Sequence, residues 1–357
     1  MVLQALCLLM AFAQSSYDVA WRASSHNKID GGAAVVAGSN VWKSSKYATN
    51  ARLPICSVSK LMTAQIVLEL AAEGKLTLGQ QVGEILPWLP EHVKPVTISN
   101  LLTHTSGLQN MDNSTGKNEN GIPLIYLSTK SHLKPLRTRI KQLSGERLLH
   151  APGTNFDYNN LDFLILQAVV EQACKQPFDF ILRERIVKPA GMKNTSVAPW
   201  GALPANILKC YTNQNGAKVS GTPFNFGIYG GAGGILSTLD DVCLWLQWSM
   251  KQPERWSPFF SGSAFGGFQG YGCYAYQNSI FGQQMSIIER PGAIANYQWQ
   301  ITAIPSLKTA AVVFALNEGA EPGSVYQKSG AVVELMRLAL KTESSEPGIS
   351  GVGRKKQ

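Results

Sequence analysis

Several common functional signatures are absent from this 357-residue sequence. No apolar run reaches the roughly 18–20 residues that span a bilayer, so we expect no internal transmembrane helix. There is no C-x-x-C pair, no Cys/His cluster with zinc spacing, no H-E-x-x-H and no Walker loop. The glycines of Tyr229–Gly234 do not fit G-x-G-x-x-G either. We therefore expect neither a metal nor another cofactor.

The small fraction of charged residues and the positive net charge limit the classes of partner that the chain could bind. With 45% hydrophobic and 15% charged residues, the chain is globular, and its length allows one large domain or two closely packed lobes. The net charge of +9 invites a nucleic-acid partner, but the inner basic cluster lacks interleaved aromatics and matches no nucleic-acid module. We expect no nucleic acid, and instead a solvated basic face that is attracted to an acidic envelope surface. This cluster contains Lys130, Lys134, Arg137, Arg139, Lys141 and Arg147.

The cysteines do not form a readable disulfide framework. Cys7 lies in a segment that would leave with a signal peptide, and the five that remain are an odd number. A disulfide between two of these five stays open. We expect most of them to be small buried apolar residues. They are Cys56, Cys174, Cys210, Cys243 and Cys273.

The two ends of the chain differ from its body. Residues 1–13 are predicted to be a signal peptide, because the apolar segment Ala5–Ala13 ends in a small-x-small pattern, although a positive n-region is missing. This predicts export to the periplasm or the extracellular space. The alternative is an amphipathic N-terminal helix packed on the domain. The main domain is predicted over residues 14–342, followed by a disordered basic tail over 343–357.

Strand-like segments lie at both ends of the chain, with helices between them. In order, we predict a hairpin over Asp30–Lys46, helices over Leu61–Glu73, Leu136–Leu149, Leu161–Cys174, before Pro189 and over Leu239–Met250, strands over Gly270–Tyr276, Gln284–Glu289, Tyr297–Ile304 and Thr309–Leu316, and a helix over Ser329–Lys341. Gly74 is a natural end for the first helix. This order predicts an α+β fold, an antiparallel sheet flanked by helices with an inserted all-helical lobe.

The stretch LPICSVSKLMTAQIVLELAAEGKL places a serine and a lysine at the start of an apolar helix. Ser57 and Lys60 are neighbours there, because residues i and i+3 lie on one helix face. A serine hydroxyl needs an adjacent base to act as a nucleophile, and a lysine desolvated by apolar surroundings can lose its proton and serve. The alternative is that Ser57 caps the helix and Lys60 extends to solvent. S-x-x-K also occurs at Ser25, Ser114 and Ser131, where we interpret it as accidental.

A second polar group, Tyr158-Asn159-Asn160, lies between a Pro-Gly break and a buried helix. Its side chains can therefore project from a fixed loop. A tyrosine near an ammonium has a lowered phenol pKa and can exchange protons with a serine. Asn160 is predicted to orient the lysine or to hold a substrate amide.

Six blocks of this sequence together resemble the serine β-lactamase-related family, which includes class C β-lactamases, D-alanyl-D-alanine carboxypeptidases and esterases of the same fold. The blocks are CSVSKLMTAQIVLELAAEGKL, TISNLLTHTSGL, APGTNFDYNN, ILRERIVKPAGMKNTS, YGGAGGILSTLDDV and YGCYAY, in the family's order. S-x-x-K is a known acylation signature. The resemblance implies a β-lactamase/transpeptidase-like fold, with a sheet lobe over about 26–60 and 205–342 and a helical lobe over about 61–204.

The family's third motif is a K-T-G or H-x-G triplet on a strand that lines the site. The matching positions here read Arg290-Pro291-Gly292. By resemblance, the backbone N–H groups of Ser57 and Ala293 would form the oxyanion hole, and Gly292 would leave room for the substrate. Arg290 keeps a positive charge and can bind a carboxylate through two parallel hydrogen bonds, but it cannot relay protons.

These residues predict an exported serine hydrolase. There is no G-x-S-x-G nucleophile elbow, and we interpret His104, in LLTHTSGL, as a hydrogen-bonded packing residue. Ser57 would form an acyl-enzyme on an amide, β-lactam or ester, with a peptidoglycan-derived peptide or a small carboxylate-bearing molecule as substrate. Two alternatives stay open: a catalytically silent, penicillin-binding-like protein that binds a cell-wall ligand or partner, and a basic binding protein. The sequence also leaves the oligomeric state open.

Overall fold

The computed structural model describes residues 15–24, 28–113, 135–199, 206–215, 217–221, 225–260 and 270–344. The predicted signal peptide and two members of the basic cluster, Lys130 and Lys134, lie outside these ranges. No helix within them is long and apolar enough to cross a membrane.

A six-stranded antiparallel sheet forms the centre of the fold, in the order β2-β1-β11-β10-β9-β8. The first strand of the chain pairs with the last one, so both ends of the sequence contribute strands to the same sheet. The predicted antiparallel sheet and α+β class are thus confirmed. Its strands are β1 Gly31–Ala37, β2 Asn40–Ser45, β8 Tyr274–Asn278, β9 Met285–Ile294, β10 Tyr297–Ile304 and β11 Thr309–Ala315.

Smaller elements complete the sheet structure and surround it with helices. A three-stranded sheet has the order β3-β7-β4, with β3 Leu53–Pro54, β4 Ser196–Val197 and β7 Ile235–Ser237, and β5 Tyr211–Gln214 pairs with β6 Ala217–Ser220. The helices are α1 over residues 15–24, α2 Ser59–Ala72, α3 Val82–Ile85, α4 Ile98–Leu102, α5 Leu136–Leu143, α6 Asn160–Cys174, α7 Phe178–Leu182, α8 Gly230–Gly233, α9 Leu239–Met250 and α10 Ala331–Ser344.

Both faces of the six-stranded sheet are buried under helices. Side chains alternate between the two faces of a strand, and in β1 Val36 belongs to one hydrophobic core and Val35 to the other. The first core includes α2, α6 and α9. The second core includes α10 and, from α1, Tyr17 and Trp21. The predicted division into a sheet lobe and a helical lobe stays a prediction.

Several element bounds differ from the sequence-based expectation. The helix predicted over Leu136–Leu149 ends at Leu143, because Gly145 takes a left-handed conformation with φ +67°. The strand predicted from Gly270 begins only at Tyr274, since Gly272 has φ +72°. At the other end of the chain, α10 ends at Ser344, two residues into the tail predicted over 343–357, and residues 345–357 of that tail lie outside the described ranges.

The five cysteines in the described residues are all free, so the disulfide left open by the sequence does not form among them. Four are buried, Cys56, Cys210, Cys243 and Cys273, as the sequence predicted for most of them. Burial raises the pKa of the Cys243 thiol to about 12.

The β5–β6 hairpin is attached to the central sheet through Asp30. Its carboxylate accepts hydrogen bonds from Lys218 Nζ at 2.6 Å, from the Tyr211 hydroxyl and from the Tyr47 hydroxyl at 3.1 Å. Burial alone would raise the pKa of Asp30, but these hydrogen bonds outweigh it and lower the pKa to about 2. The ionised carboxylate therefore stabilises the docking of the hairpin.

Candidate active site

Ser57 lies in a 3-10 turn, Cys56–Val58, that leads directly into α2. Its Oγ lies 2.7 Å from Tyr158 Oη and 3.3 Å from Lys60 Nζ. The first residues of α2 receive no hydrogen bond from a capping side chain. The capping alternative for Ser57 is therefore wrong, and its hydroxyl contacts the two side chains with which it was expected to exchange protons.

Lys60 is fully buried, so the alternative in which it extends to solvent is also wrong. Its Nζ donates hydrogen bonds to Asn160 Oδ1 at 2.6 Å, to the Ala232 carbonyl oxygen at 2.7 Å and to Ser57 Oγ. Burial lowers the pKa of Lys60 to about 8, although the neighbouring Tyr158 phenol favours the charged form. The two carbonyl oxygens fix the amine in place and leave its third direction facing Ser57.

Tyr158 connects the serine to a second cation. Its Oη accepts a hydrogen bond from Arg290 Nη2 at 2.8 Å, and Lys60 Nζ lies 4.9 Å from its ring centroid. Burial would raise the pKa of Tyr158, but the charges of Lys60 and Arg290 outweigh this and lower it below the ordinary phenol value. Tyr158 is thus prepared to carry a negative charge next to Ser57 Oγ.

Arg290 is 2% exposed, and its guanidinium is directed at the serine and the tyrosine rather than at solvent. Nε donates to the Ser57 carbonyl oxygen at 3.0 Å, while Nη2 donates to Tyr158 Oη. The Nε–Nη2 edge is therefore occupied. A substrate carboxylate, as predicted for Arg290, would need another edge of this buried group.

Among the described residues, the last part of β9 pairs with a strand on one side only and has an open edge on the other. β8 pairs with β9 only as far as Glu289, whereas β10 pairs with it up to Ile294, next to a two-residue turn. Such a turn is closed by a hydrogen-bonded pair, here Ile294 and Tyr297, and hydrogen-bonded and non-bonded pairs alternate along the ladder. The backbone groups of Pro291 and Ala293 therefore point away from β10. A proline is tolerated there because no ladder bond is lost, and the Ala293 N–H faces the open edge.

Gly292 brings this strand against the serine turn. A Cβ at this position would lie 3.0 Å from Ser57 N, 3.0 Å from Ile55 O and 3.2 Å from Cys56 Cβ. A glycine allows this close backbone approach. Through it, the Ser57 N–H lies beside the strand that carries the Ala293 N–H.

Sequence reasoning missed the residues that hold Asn160. Asp112 Oδ2 accepts a hydrogen bond from Asn160 Nδ2 at 3.1 Å, which turns the amide so that Oδ1 faces Lys60. Asn110 Nδ2 donates to the Tyr158 carbonyl oxygen at 3.3 Å. Met111, which lies between Asn110 and Asp112, is fully buried and anchors this segment in the core. The available signal was the polar pair Asn110 and Asp112 directly after the LLTHTSGL block.

The family model for β-lactamases matches residues 21–327. The chain belongs to the β-lactamase family. The matched range contains every predicted site residue, and the resemblance read from the six sequence blocks is confirmed.

The proteins to which this β-lactamase-family chain is similar have different activities in their names. It is 29% identical over 198 residues to the D-alanyl-D-alanine-carboxypeptidase/endopeptidase AmpH of Escherichia coli strain K12, covering 54% of this chain and 47% of that protein. The match thus spans about half the length of that relative. The fold is similar to D-amino acid amidase from Ochrobactrum anthropi SV3 (TM-score 0.72, 16% identity, 93% of this chain and 99% of that one). It is also similar to EstCE1, a hydrolase with promiscuous acyltransferase activity (TM-score 0.70, 18% identity, 92% and 100%).

In this member of the β-lactamase family, His104 takes the packing role predicted for it. It is fully buried, its Nδ1 lies 3.0 Å from Asp162 Oδ2, and its ring contacts the rings of Tyr158 and Phe163. Among the described residues, no group of His, Cys, Asp and Glu side chains could hold a metal ion. The structure thus brings the Ser57 hydroxyl together with one phenol, Tyr158, and two basic side chains, Lys60 and Arg290.

Proposed function

We propose that this chain is a serine hydrolase that forms an acyl-enzyme on Ser57. The observation that carries the proposal is the 2.7 Å contact between Ser57 Oγ and Tyr158 Oη, made where two buried cations, Lys60 and Arg290, lower the pKa of the phenol. A serine is activated by an adjacent base, and a phenolate stabilised by two cations is such a base.

In the acylation step, Ser57 Oγ attacks the substrate carbonyl carbon as its proton passes to Tyr158 Oη. The contact to Tyr158 is shorter than the 3.3 Å contact to Lys60, which favours the phenolate as the proton acceptor and Lys60 as the cation that stabilises it. The negative charge on the carbonyl oxygen is received by the N–H groups of Ser57 and Ala293. Each such donor typically lowers the barrier by about 3–4 kcal/mol.

The proton that Tyr158 took from Ser57 is then used to release the leaving group, and a second proton transfer accompanies hydrolysis of the acyl-enzyme. Tyr158 returns its proton to the leaving amine or alcohol, and the carbonyl carbon stays bonded to Ser57 Oγ as an ester. A water molecule, or another acceptor hydroxyl or amine, then gives its proton to Tyr158 and attacks this ester. As the bond between the acyl carbon and Ser57 Oγ breaks, Tyr158 passes this proton to Oγ, which releases the acid or the transferred acyl product and restores the Ser57 hydroxyl.

The proposed substrates are amides, β-lactams and esters, including peptidoglycan-derived peptides. The names of the relatives support this range, since they include a D-alanyl-D-alanine carboxypeptidase, a D-amino acid amidase and a hydrolase with acyltransferase activity. The engaged guanidinium of Arg290 gives no preference for a substrate with a free carboxylate.

Covalent labelling tests the proposal. The purified chain is incubated with a fluorophosphonate, a fluorescent penicillin, p-nitrophenyl esters and D-Ala-D-Ala peptides, and intact mass and released product are measured. We expect an adduct that disappears in Ser57→Ala and persists in Ser131→Ala, whose serine shares the S-x-x-K pattern. No adduct and no turnover with any of these compounds would favour the catalytically silent binding protein instead.

Export belongs to the same proposal. Cleavage after Ala13 would keep the described residues of α1, including Tyr17 and Trp21, which are buried in the second core. N-terminal sequencing of protein recovered from the periplasm or the medium tests this. A chain that retains residues 1–13 and stays in the cytoplasm would contradict export.

A further inference from the structure

A second buried polar cluster lies against the ring of Tyr158. His104 and Asp162 have no exposed side-chain surface, and the His104 and Tyr158 ring centroids are 4.6 Å apart. Ser106 Oγ donates to Asp162 Oδ1 at 2.6 Å. The proposed mechanism uses none of these three polar side chains, although two of them are titratable.

His104 holds the loop segment that presents Tyr158. The Asp157 N–H donates to the His104 carbonyl oxygen at 2.8 Å, and the Asn159 N–H donates to His104 Nδ1 at 3.2 Å. The residues on either side of Tyr158 are therefore bonded to one histidine. His104 itself has φ +56°, a conformation that is uncommon outside glycine and that the surrounding contacts must maintain.

The bond from Asn159 decides where the protons of the cluster lie. A backbone N–H can only donate, so His104 Nδ1 accepts this bond and carries no proton of its own. Asp162 Oδ2 lies 3.0 Å from the same nitrogen, and two acceptors at that distance repel each other unless one brings a hydrogen. A protonated Asp162 supplies it, and the single lone pair of Nδ1 is then shared between the Asp162 O–H and the longer contact from the Asn159 N–H. Because Oδ1 already accepts from Ser106, the proton lies on Oδ2.

The surroundings favour this neutral arrangement. Burial, together with the cations Lys60 and Arg290, lowers the pKa of His104 well below its ordinary value. Burial raises the pKa of Asp162 well above its ordinary value, against the opposing effects of Ser106 and Lys60, while Asp157 raises it further. His104 Nε2 has no hydrogen-bond partner among the described residues in either tautomer, so it favours neither.

We propose that His104 and Asp162 form a neutral pair, in which Asp162 donates its proton to His104 Nδ1, and that this pair positions Tyr158 without adding a charge to the site. The role of the pair rests on the proposed function, because the residue that the pair positions, Tyr158, is the proposed base. It follows that the pH dependence of the reaction is set by Lys60, Tyr158 and the charges that contact them, and not by the pair.

Two substitutions of Asp162 test this. In Asp162→Asn, the amide Nδ2 can donate to His104 and Oδ1 can accept from Ser106, so the variant imitates a neutral acid. Asp162→Ala removes both contacts and releases the loop, and we expect kcat to fall about tenfold to a hundredfold with a smaller change in KM, as for a misplaced catalytic group. Asp162→Asn should recover most of this loss and keep the wild-type pH profile of kcat/KM.

The opposite outcomes are equally clear. If Asp162 is ionised, Asp162→Asn removes a negative charge near Lys60 and Tyr158, and the pH profile shifts. A shifted profile, or an Asp162→Asn variant as impaired as Asp162→Ala, overturns the neutral pair. Wild-type kcat in Asp162→Ala overturns the positioning role. If Asp162→Ala does not fold, which its thermal melting curve reveals, Asp162→Asn and the spectroscopic measurement below decide.

A direct readout needs no substrate. In ¹⁵N-labelled protein, the imidazole nitrogens of His104, assigned by their loss in His104→Asn, should show a protonated Nε2 and an unprotonated, hydrogen-bonded Nδ1 from about pH 5 to pH 9. A proton on Nδ1, or a titration within this range, overturns the neutral pair. Because this result does not depend on turnover, failure of the neutral pair and failure of the hydrolase proposal can be told apart.

Discussion

Replacing Gly292 with alanine perturbs the contact between β9 and the serine turn. The new Cβ would lie 3.0 Å from Ile55 O, 3.0 Å from Ser57 N and 3.2 Å from Cys56 Cβ, and none of these atoms is the end of a flexible side chain. Since these contacts are tighter than a side-chain carbon normally makes, the strand and the turn must separate by a few tenths of an ångström. The backbone at Gly292 is not left-handed, so the effect is one of space alone.

This separation has two expected consequences. Overpacking of a tight contact costs about 1–3 kcal/mol of stability. The larger expected effect is on catalysis, because the N–H groups of Ser57 and Ala293, which we propose bind the same oxygen, would move apart. Complete loss of one oxyanion donor reduces kcat by about a hundredfold to a thousandfold, so for partial misalignment in Gly292→Ala we expect a loss of about tenfold to a hundredfold.

The assay measures kcat and KM with the best p-nitrophenyl ester, together with the melting temperature. Gly79→Ala is the matched control, because a Cβ there meets nothing within 4 Å and its backbone is not left-handed either. We expect the control to match the wild type. The reasoning is refuted if Gly292→Ala keeps the wild-type kcat, or if Gly79→Ala loses as much activity.

Three further predictions concern charges. Because the pKa of Lys60 is lowered to about 8, kcat/KM should fall as the pH rises through that value and the ammonium is lost. The Asp112 charge raises this pKa, so in Asp112→Asn the fall of kcat/KM should begin at lower pH, and an unmoved profile would contradict it. Arg290→Lys keeps a cation but not the planar fork that contacts both Tyr158 and the serine turn, so kcat should drop about tenfold in the same ester assay, and an unchanged kcat would show that the fork is dispensable. Asp30→Asn should lower the free energy of unfolding by about 1 kcal/mol at neutral pH, measured in urea, because solvent screens the exposed partner Lys218. Since the folded-state pKa of Asp30 is depressed to about 2, the wild type should lose this contribution as the pH falls from about 4 to about 2, and constant stability over that range would rule the contribution out.

Two elements that begin at a clear local signal have the same first and last residues as the sequence predicted. The helix Leu239–Met250 begins after Thr238, whose side chain accepts a hydrogen bond from the Asp241 N–H, and its bounds coincide with the prediction. The strand Tyr297–Ile304 follows a two-residue turn and also coincides. By contrast, β8 begins late because a left-handed glycine at 272 interrupts an otherwise strand-like pattern.

The site was predictable only where side-chain chemistry marks it. Ser57, Lys60, Tyr158 and Asn160 were proposed from residue type and spacing, and the structure places their polar atoms in one hydrogen-bonded group. The Ala232 carbonyl that holds Lys60 could not be proposed in this way, because a main-chain oxygen leaves no trace in the residue type. The orientation of Arg290 was equally inaccessible, since it depends on how closely two distant segments approach each other.

The proline at position 291 also affects whether a strand from another molecule can pair with β9. An uncovered strand edge is a template onto which a strand from another molecule can add, and such additions lead to aggregation. With no N–H at position 291, the end of β9 cannot continue a ladder of hydrogen bonds with an incoming strand. A second copy of the chain therefore gains no continuous series of backbone hydrogen bonds at this edge.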